Sequence, residues 1–226
     1  MVRFERKDTK KARAAVESLN NAKQKNSGYN TPEVNSALQE MFHGKCYICE
    51  NKKHITSFQI EHLKAHHGDL GLKYDWENLF LSCAHCNNTK LGKYEPILDC
   101  SHVDVDQKIA FHFQNPPQKP ELKIEALDTS IATVNTCHLL DDVYYGKTPQ
   151  KKVESKLIRC EIRRQMLDFE NYIGEYLELE DGEDKKDLYC KIEKELKNAS
   201  EYTAFKRWFI RDNQELCKDL LTLLPC

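Results

Sequence analysis

The sequence contains no long hydrophobic run, and this absence excludes a class of protein. No apolar segment approaches the roughly 18 residues of a membrane-spanning helix. The first residues, from Met1 to Asp8, lack the apolar centre of a secretory signal. We therefore expect a cytoplasmic protein that makes no contact with a membrane.

Net charge is also nearly absent. The chain has 34 Lys and Arg against 36 Asp and Glu, so its formal charge is −2. Proteins that grip nucleic acid usually display a basic surface, because phosphate contacts dominate the affinity. If this chain binds nucleic acid, its positive charge is local or a partner supplies part of the contact. The most basic segment, 1–30, fits either a solvated helix or an arm that contacts nucleic acid.

Cysteine is too sparse for a disulfide scaffold, with ten residues in a chain of 226. Four of them form two Cys-x-x-Cys pairs, Cys46 with Cys49 and Cys83 with Cys86. Folding of the intervening chain would place four thiolates around one Zn2+ at about 2.3 Å. Such a site leaves no position for water, so the zinc would be structural. Buried core thiols are the plainer alternative, and disulfides are a weaker one.

Polar residues of a catalytic type lie between the two pairs and directly after them. Glu61 and His62 follow the first pair, Asn78 lies between the pairs, and Asn87 comes directly after Cys86. An imidazole with a pKa of about 6.5 can accept a proton from water at neutral pH. Mg2+ prefers oxygen ligands. His62 is therefore the candidate general base, and Glu61 and Asn87 are candidate Mg2+ ligands; the plainer alternative for His62 is a hydrogen bond inside a zinc knuckle.

In this order and spacing, the stretch from Cys46 to Lys90 resembles the HNH endonucleases and their ββα-metal core. That core carries a Cys-x-x-Cys pair, Asp/Glu-His, Asn, and a second Cys-x-x-Cys followed by His or Asn. The sequence departs from the commoner pattern at Glu61, where Asp is usual, and at Asn87, which gives an HNN variant. The second departure puts the choice of metal in question, because Asn binds softer transition metals less well than His does.

The resemblance implies roles for further residues. Asn78 would hold a loop and orient His62, while Lys90 and, less directly, Lys64 would contact substrate phosphates. The catalytic ion would be Mg2+ or Mn2+, alongside the structural Zn2+. Four histidines have no assigned role: His54, His66, His67 and His85. Of these, His66 could line the site.

Local patterns predict an α+β fold with a zinc-stabilised ββα core and a mainly helical C-terminal region. We expect helices over 9–25 and from Thr31, a strand over 58–63, a helix from Cys83 to about Leu91, and short strands within 102–113. The strand would bury Ile60 and place Glu61 or His62 at the lip of a groove. A helix of about 28 residues from Thr148 would bury an apolar stripe. The residues of that stripe are Val153, Leu157, Cys160, Met166, Phe169, Ile173 and Leu177.

Three regions follow from these patterns. Residues 1–45 form N-terminal helices that pack on the core, 46–128 form the nuclease core with its four-cysteine zinc site, and 129–226 form a helical, partner-binding region. The core and its tail are similar to the PtuB-type HNH nucleases of Septu and related retron defence systems. That similarity implies a PtuA-type ABC/SMC ATPase as partner.

Several functions stay open from the sequence. The first is a metal-dependent endonuclease, with DNA favoured as substrate over RNA. The second is a zinc-stabilised adaptor that has lost catalysis and binds the ATPase. A restriction or homing nuclease that acts alone is weakened by the absence of a second recognition domain in the sequence.

Overall fold

The computed structural model describes residues 1–52, 58–114 and 121–225, and His54 lies outside these ranges. The predicted α+β class is confirmed. The helices are α1 (Lys10–Gln24), α2 (Pro32–Met41), α3 (Leu70–Lys73), α4 (Ala84–Lys90), α5 (Val105–Lys108), α6 (Ile131–Tyr144), α7 (Pro149–Glu178), α8 (Glu183–Glu195) and α9 (Thr203–Asp212). The strands are β1 (Phe58–His62), β2 (Leu79–Cys83), β3 (Ile109–Gln114) and β4 (Glu121–Ala126).

The two N-terminal helices begin close to the predicted positions, and Thr31 is the predicted cap of α2. The Thr9 hydroxyl accepts from the amide of Ala12, and the Thr31 hydroxyl accepts from the amide of Val34. These bonds satisfy amides that have no partner within the helix. The helices pack on each other, and α2 also packs on β2. This places the start of the chain against the core.

The ββα unit consists of β1, β2 and α4. The two strands pair antiparallel, with Phe58 opposite Cys83 and His62 opposite Leu79. All of β2 is buried. Ile60 is buried as expected, but the predicted groove lip is wrong, because Glu61 and His62 are buried as well. Both faces of the end of β1 are covered by other elements.

A second hairpin, β3 with β4, follows the ββα unit and packs against α9 and α6. The sequence predicts a strand within 102–113, which the structure confirms as β3. The first part of that prediction is wrong, because Val105–Lys108 form a helical turn. Strand β4 has no counterpart among the predicted elements, since alternation over six residues is a weak signal.

The C-terminal region is helical, as predicted, and α7 is its longest element at 30 residues. The first half of the predicted stripe on α7 is wrong. Val153, Leu157 and Cys160 are exposed, while Ser155, Ile158 and Ile162 are buried instead. From Met166 onward the predicted residues are buried, apart from Leu177. Throughout the described ranges, every helix is too short or too polar to cross a bilayer.

A buried carboxylate joins the start of the core to the C-terminal region. Glu50 lies 2.9 Å from the Met1 amino group and 3.1 Å from Lys45 Nζ, and all of these groups are buried. The same carboxylate accepts from the amides of Thr203 and Ala204 at the start of α9. Burial would raise the pKa of Glu50, but the Met1 ammonium and Lys45 outweigh burial and lower it to about 2.

We expect Glu50→Gln to lower the free energy of unfolding by about 3–5 kcal/mol, because Lys45 would stay buried without its counter-charge. Urea denaturation with zinc present measures this. The control is Glu40→Gln, which breaks an ion pair with Lys11 that is half exposed on both sides, and its cost should stay below about 1 kcal/mol. Equal losses for the two variants would contradict the role of the buried carboxylate.

Candidate functional site

Four sulfur atoms come together between the end of α2 and the start of α4. The Sγ atoms of Cys46, Cys49, Cys83 and Cys86 all lie within 4.8 Å of one another, and all four residues are buried. Cys49 Sγ and Cys83 Sγ are 3.9 Å apart. That separation is far too long for a disulfide, and it fits the edge of about 3.8 Å in a tetrahedron with metal–sulfur bonds of 2.3 Å. The cluster could therefore hold a metal ion.

Local structure fixes the positions of these sulfurs. Cys83 is the N-cap of α4, and its Sγ accepts from the Cys86 amide. The Tyr47 amide donates to the Leu81 carbonyl, which holds the first pair against β2. Burial would raise the pKa of Cys46, but hydrogen bonds from the other three cysteines outweigh burial and hold its pKa well below the usual range. Burial and the neighbouring sulfurs raise the pKa of Cys86. Four thiolates here therefore require a cation.

His62 is held at the end of β1 by three groups. Its Nε2 lies 3.0 Å from the Lys73 carbonyl oxygen. The rings of Tyr29 and His66 lie edge-on to the imidazole, with centroid distances of 4.7 and 4.8 Å. Burial lowers the pKa of His62, and only part of this shift is offset by the bond to the Lys73 carbonyl. The imidazole is therefore neutral at neutral pH.

Asn78 organises the loop that supplies this carbonyl. Its Oδ1 accepts from the Lys64 amide at 2.8 Å, and its Nδ2 donates to the carbonyls of Lys64 and Leu72, both at 3.0 Å. The side chain is buried. Because Lys73 directly follows Leu72, Asn78 fixes the segment whose carbonyl bonds to His62.

Glu61 faces the other side of β1, since side chains alternate along a strand. Its carboxylate accepts from the Tyr47 hydroxyl and lies 3.2 Å from Lys90 Nζ. Burial raises the pKa of Glu61 to about 7, although Lys90 and the Tyr47 hydroxyl act in the opposite direction. On the same side, Asn87 Nδ2 donates to Gln59 Oε1 at 2.7 Å. Glu61, Asn87 and Lys90 therefore meet between β1 and α4.

The expected contact between Lys90 and a substrate phosphate disagrees with this geometry. The residue is 2% exposed, and its ammonium donates to the His62 carbonyl at 2.8 Å. Glu61 and Glu95 lie on either side of it, at 3.2 and 3.8 Å. The ammonium neutralises a buried carboxylate and does not face solvent. Lys64, in contrast, is exposed beside the His62 loop.

Residues 46–92 match the family model described as HNH endonuclease. This segment is an HNH endonuclease domain. The prediction of the family from Cys46 to Lys90 is therefore confirmed, and with it the prediction of a nuclease domain.

One curated relative of the chain is "Septu protein PtuB" of Bacillus mycoides (strain KBAB4). It is 35% identical over 83 residues, which cover 30% of this chain and 28% of the relative. The chain thus spans less than a third of the relative's length in this match. No solved structure matches. The similarity is therefore limited to part of this chain and part of that protein.

Two residues of the site, Tyr29 and Tyr47, are not predicted by any sequence pattern. Tyr29 lies outside the HNH domain, in the loop between α1 and α2, yet its ring contacts His62. That loop is anchored by the Tyr74 hydroxyl, which donates to the Ser27 carbonyl at 2.6 Å. Tyr47 stands between two zinc-type cysteines and bonds to Glu61. Neither aromatic residue carries a local signal, because only the tertiary fold brings it to the site.

The histidines without a predicted role differ in their surroundings. His66 lines the His62 side of the site, and its Nδ1 accepts from the Gly68 amide. His67 is exposed. His85 lies between two cysteines of the cluster and connects the HNH domain to the C-terminal helices. Its Nδ1 lies 2.7 Å from Glu154 and its Nε2 2.9 Å from the Val143 carbonyl oxygen.

The two roles considered for Lys90 differ in their effect on stability. We expect Lys90→Gln to lower the free energy of unfolding by up to about 3 kcal/mol at pH 8, because the buried Glu61 would lose its counter-charge and would have to take up a proton to stay buried. Urea denaturation measures this. The control Lys64→Gln, at an exposed position, should stay within about 0.5 kcal/mol of the unchanged protein. If Lys90→Gln kept full stability but bound nucleic acid more weakly, the result would instead support the predicted contact between Lys90 and a substrate phosphate.

Proposed function

We propose that the protein is a metal-dependent HNH endonuclease that hydrolyses phosphodiester bonds, preferably in DNA. The observation that carries this proposal is the setting of His62 within the matched HNH domain. A neutral imidazole, oriented by a backbone carbonyl on one nitrogen, is the arrangement that a general base requires.

The proton transfer follows from this orientation. Because Nε2 faces the Lys73 carbonyl at 3.0 Å, Nε2 carries the proton and Nδ1 carries the lone pair. Nδ1 makes no hydrogen bond to any residue in the described ranges. It is therefore free to accept a proton from water. The resulting hydroxide attacks phosphorus, the bond to the leaving oxygen breaks, and that oxygen takes up a proton from solvent.

Of the two predicted Mg2+ ligands between β1 and α4, only one has an oxygen available for the ion. Asn87 Oδ1 makes no hydrogen bond to a described residue, so it is free to bind Mg2+ or Mn2+. The Glu61 carboxylate already holds Lys90 and the Tyr47 hydroxyl. For Glu61 to be a ligand as well, Lys90 has to leave it. When bound, the ion would stabilise the charge that develops on the phosphate.

We also propose that the four-cysteine cluster holds Zn2+ in a structural role. The donor set of four thiolates is the one that structural zinc prefers, and burial leaves no place for a water ligand. Lys64 is the exposed cation nearest in sequence to His62 and is proposed to contact a substrate phosphate.

The biological setting proposed here is anti-phage defence. The name of the relative, Septu protein PtuB, assigns that protein to a Septu system. By similarity, a PtuA-type ABC/SMC ATPase would be the partner of this chain, with the helical region 129–226 as its docking region. An inactive, zinc-stabilised adaptor is the alternative, because Lys90 pairs with the Glu61 carboxylate that would otherwise bind the metal ion. A ribonuclease would use the same site.

We expect His62→Ala to abolish cleavage while the fold persists, because the variant lacks the proton acceptor. The assay uses plasmid DNA and total tRNA with Mg2+ or Mn2+, each with and without the ATPase. Loss of the products should be at least about 100-fold, the usual contribution of a general base. The control His102→Ala changes an exposed histidine that pairs with Asp99 and should cut normally.

The outcomes separate the alternatives. Cleavage by His62→Ala at the normal rate would reject His62 as the base. No cleavage by the unchanged protein under any condition, with zinc bound, would favour the adaptor. Products from tRNA alone would make the protein a ribonuclease.

We expect the purified protein to contain one zinc ion per chain, and Cys83→Ala to lose both the zinc and the fold of the core. The reason is that the metal contributes on the order of 10–16 kcal/mol of apparent binding energy in small zinc modules. Elemental analysis and circular dichroism measure the two effects. Cys190→Ala, at an exposed cysteine, is the control and should keep its zinc. A folded Cys83→Ala protein without metal would contradict the structural role.

A further inference from the structure

Charge is segregated along α7. Its first half, 149–165, contains six Lys and Arg and only two acids. Its second half, 166–178, contains four acids and no Lys or Arg. The acidic half continues into the start of α8, whose first turn holds Glu183 and Asp184. One long helix therefore presents a basic end and an acidic end.

This distribution does not serve the stability of the helix. The N-terminus of a helix favours negative side chains and the C-terminus favours positive ones. In α7, the first turn contains no acid and the last turn contains no base. Both ends thus oppose the helix dipole. We conclude that the pattern reflects what the helix faces outside itself.

The basic half forms a row on one side of the helix. Lys152, Lys156, Arg159 and Arg163 follow at i, i+4, i+7 and i+11, a spacing that places them on one face. The row extends over about 16 Å. Arg159 stacks over the Tyr145 ring at 4.9 Å and donates to the Tyr144 carbonyl.

The other three cations of this row have no acidic partner among the described residues. Lys152 and Lys156 are exposed, and Arg163 is half-buried. The next arginine differs, because Arg164 pairs with Glu161 and Asp168. Positive charge on this face is therefore unneutralised by the protein itself.

The first turns of α7, where the row begins, contact the HNH domain through two residues outside the row. Lys151 Nζ donates to the Asn88 carbonyl at 3.3 Å, and Glu154 lies 2.7 Å from His85 Nδ1. These contacts seat the first turns of α7 on α4, one residue away from Asn87. The acidic half leads away from α4 along the same helix. A polyanion attracted by the row would be repelled farther along the helix.

We propose that Lys152, Lys156, Arg159 and Arg163 form a binding surface for the phosphate backbone of nucleic acid. This proposal rests on the proposed nuclease function and names where the substrate is held. It also explains how a chain of net charge −2 can bind a polyanion, because the positive charge is concentrated in one row. Val153 and Leu157, 61% and 62% exposed, lie beside the row, so a protein partner is the competing occupant.

The test is the salt dependence of binding by the full chain. The triple variant Lys152→Gln, Lys156→Gln, Arg163→Gln removes three charges and keeps good helix formers. Binding to a labelled duplex and to a labelled single strand is measured with Mg2+ omitted, at several salt concentrations. The slope of log Kobs against log salt should fall by about 2.7 for the duplex and about 2.1 for the single strand.

A matched control removes the same charge elsewhere. Lys186, Lys194 and Lys218 are exposed and distant in sequence from the row. The variant with all three changed to Gln should keep the slope of the unchanged protein. Circular dichroism checks that both variants are equally helical.

Each outcome decides between the possibilities. A triple variant of the row with an unchanged slope, or a control with an equal loss, would overturn the proposal. Loss of ATPase binding with the nucleic-acid slope intact would assign the row to a protein partner and also overturn it. Because Mg2+ is omitted, the result is separate from cleavage. If the unchanged protein never cuts nucleic acid but its salt slope depends on the row, the nuclease function is rejected and the binding surface is still supported.

Discussion

The structure depends on bringing four buried sulfurs to one point. Mutual proximity and burial make four thiolates unfavourable there, so the cluster needs a cation to be stable in its ionised form. The cluster joins the segment after α2 to the end of β2 and the start of α4. It thereby holds the ββα unit, which is too small to bury a sufficient core of its own. Three candidate catalytic residues, His62, Glu61 and Asn87, lie on that unit.

The residues next to the cluster connect it to the C-terminal helices by hydrogen bonds. Glu50 follows Cys49 and accepts hydrogen bonds from the amides at the start of α9, while His85 bonds to the end of α6 and to the start of α7. The contacts of Glu50 with α9 and of His85 with the Val143 carbonyl are buried, so each has to be satisfied to avoid a large desolvation cost. The HNH domain and the helical region are therefore coupled through specific hydrogen bonds as well as through apolar packing. A partner that docks on the helices could affect the site along this route.

The site divides its polar groups between the two faces of β1. On one face, His62 is held by the Lys73 carbonyl, Tyr29 and His66. On the other, Lys90 satisfies Glu61 where a metal ion was expected. A buried ion pair of this kind is costly to break from one side only. The two faces share the backbone of β1, and Lys90, which pairs with Glu61, also donates to the His62 carbonyl.

The sequence by itself determined the HNH domain with its four cysteines, strand β1, the helical C-terminal region and the start of α2 at Thr31. These features depend on residue type and on spacing along the chain, which are local. Only the tertiary structure decided which side chains are buried and which groups they meet. The stripe on α7 shifted because neighbouring helices, and not hydropathy alone, select the buried face. Lys90 was expected to contact substrate but is buried beside Glu61, and Tyr29 contacts His62 although it lies outside the domain. The sequence does not reveal these contacts, because each joins residues far apart along the chain.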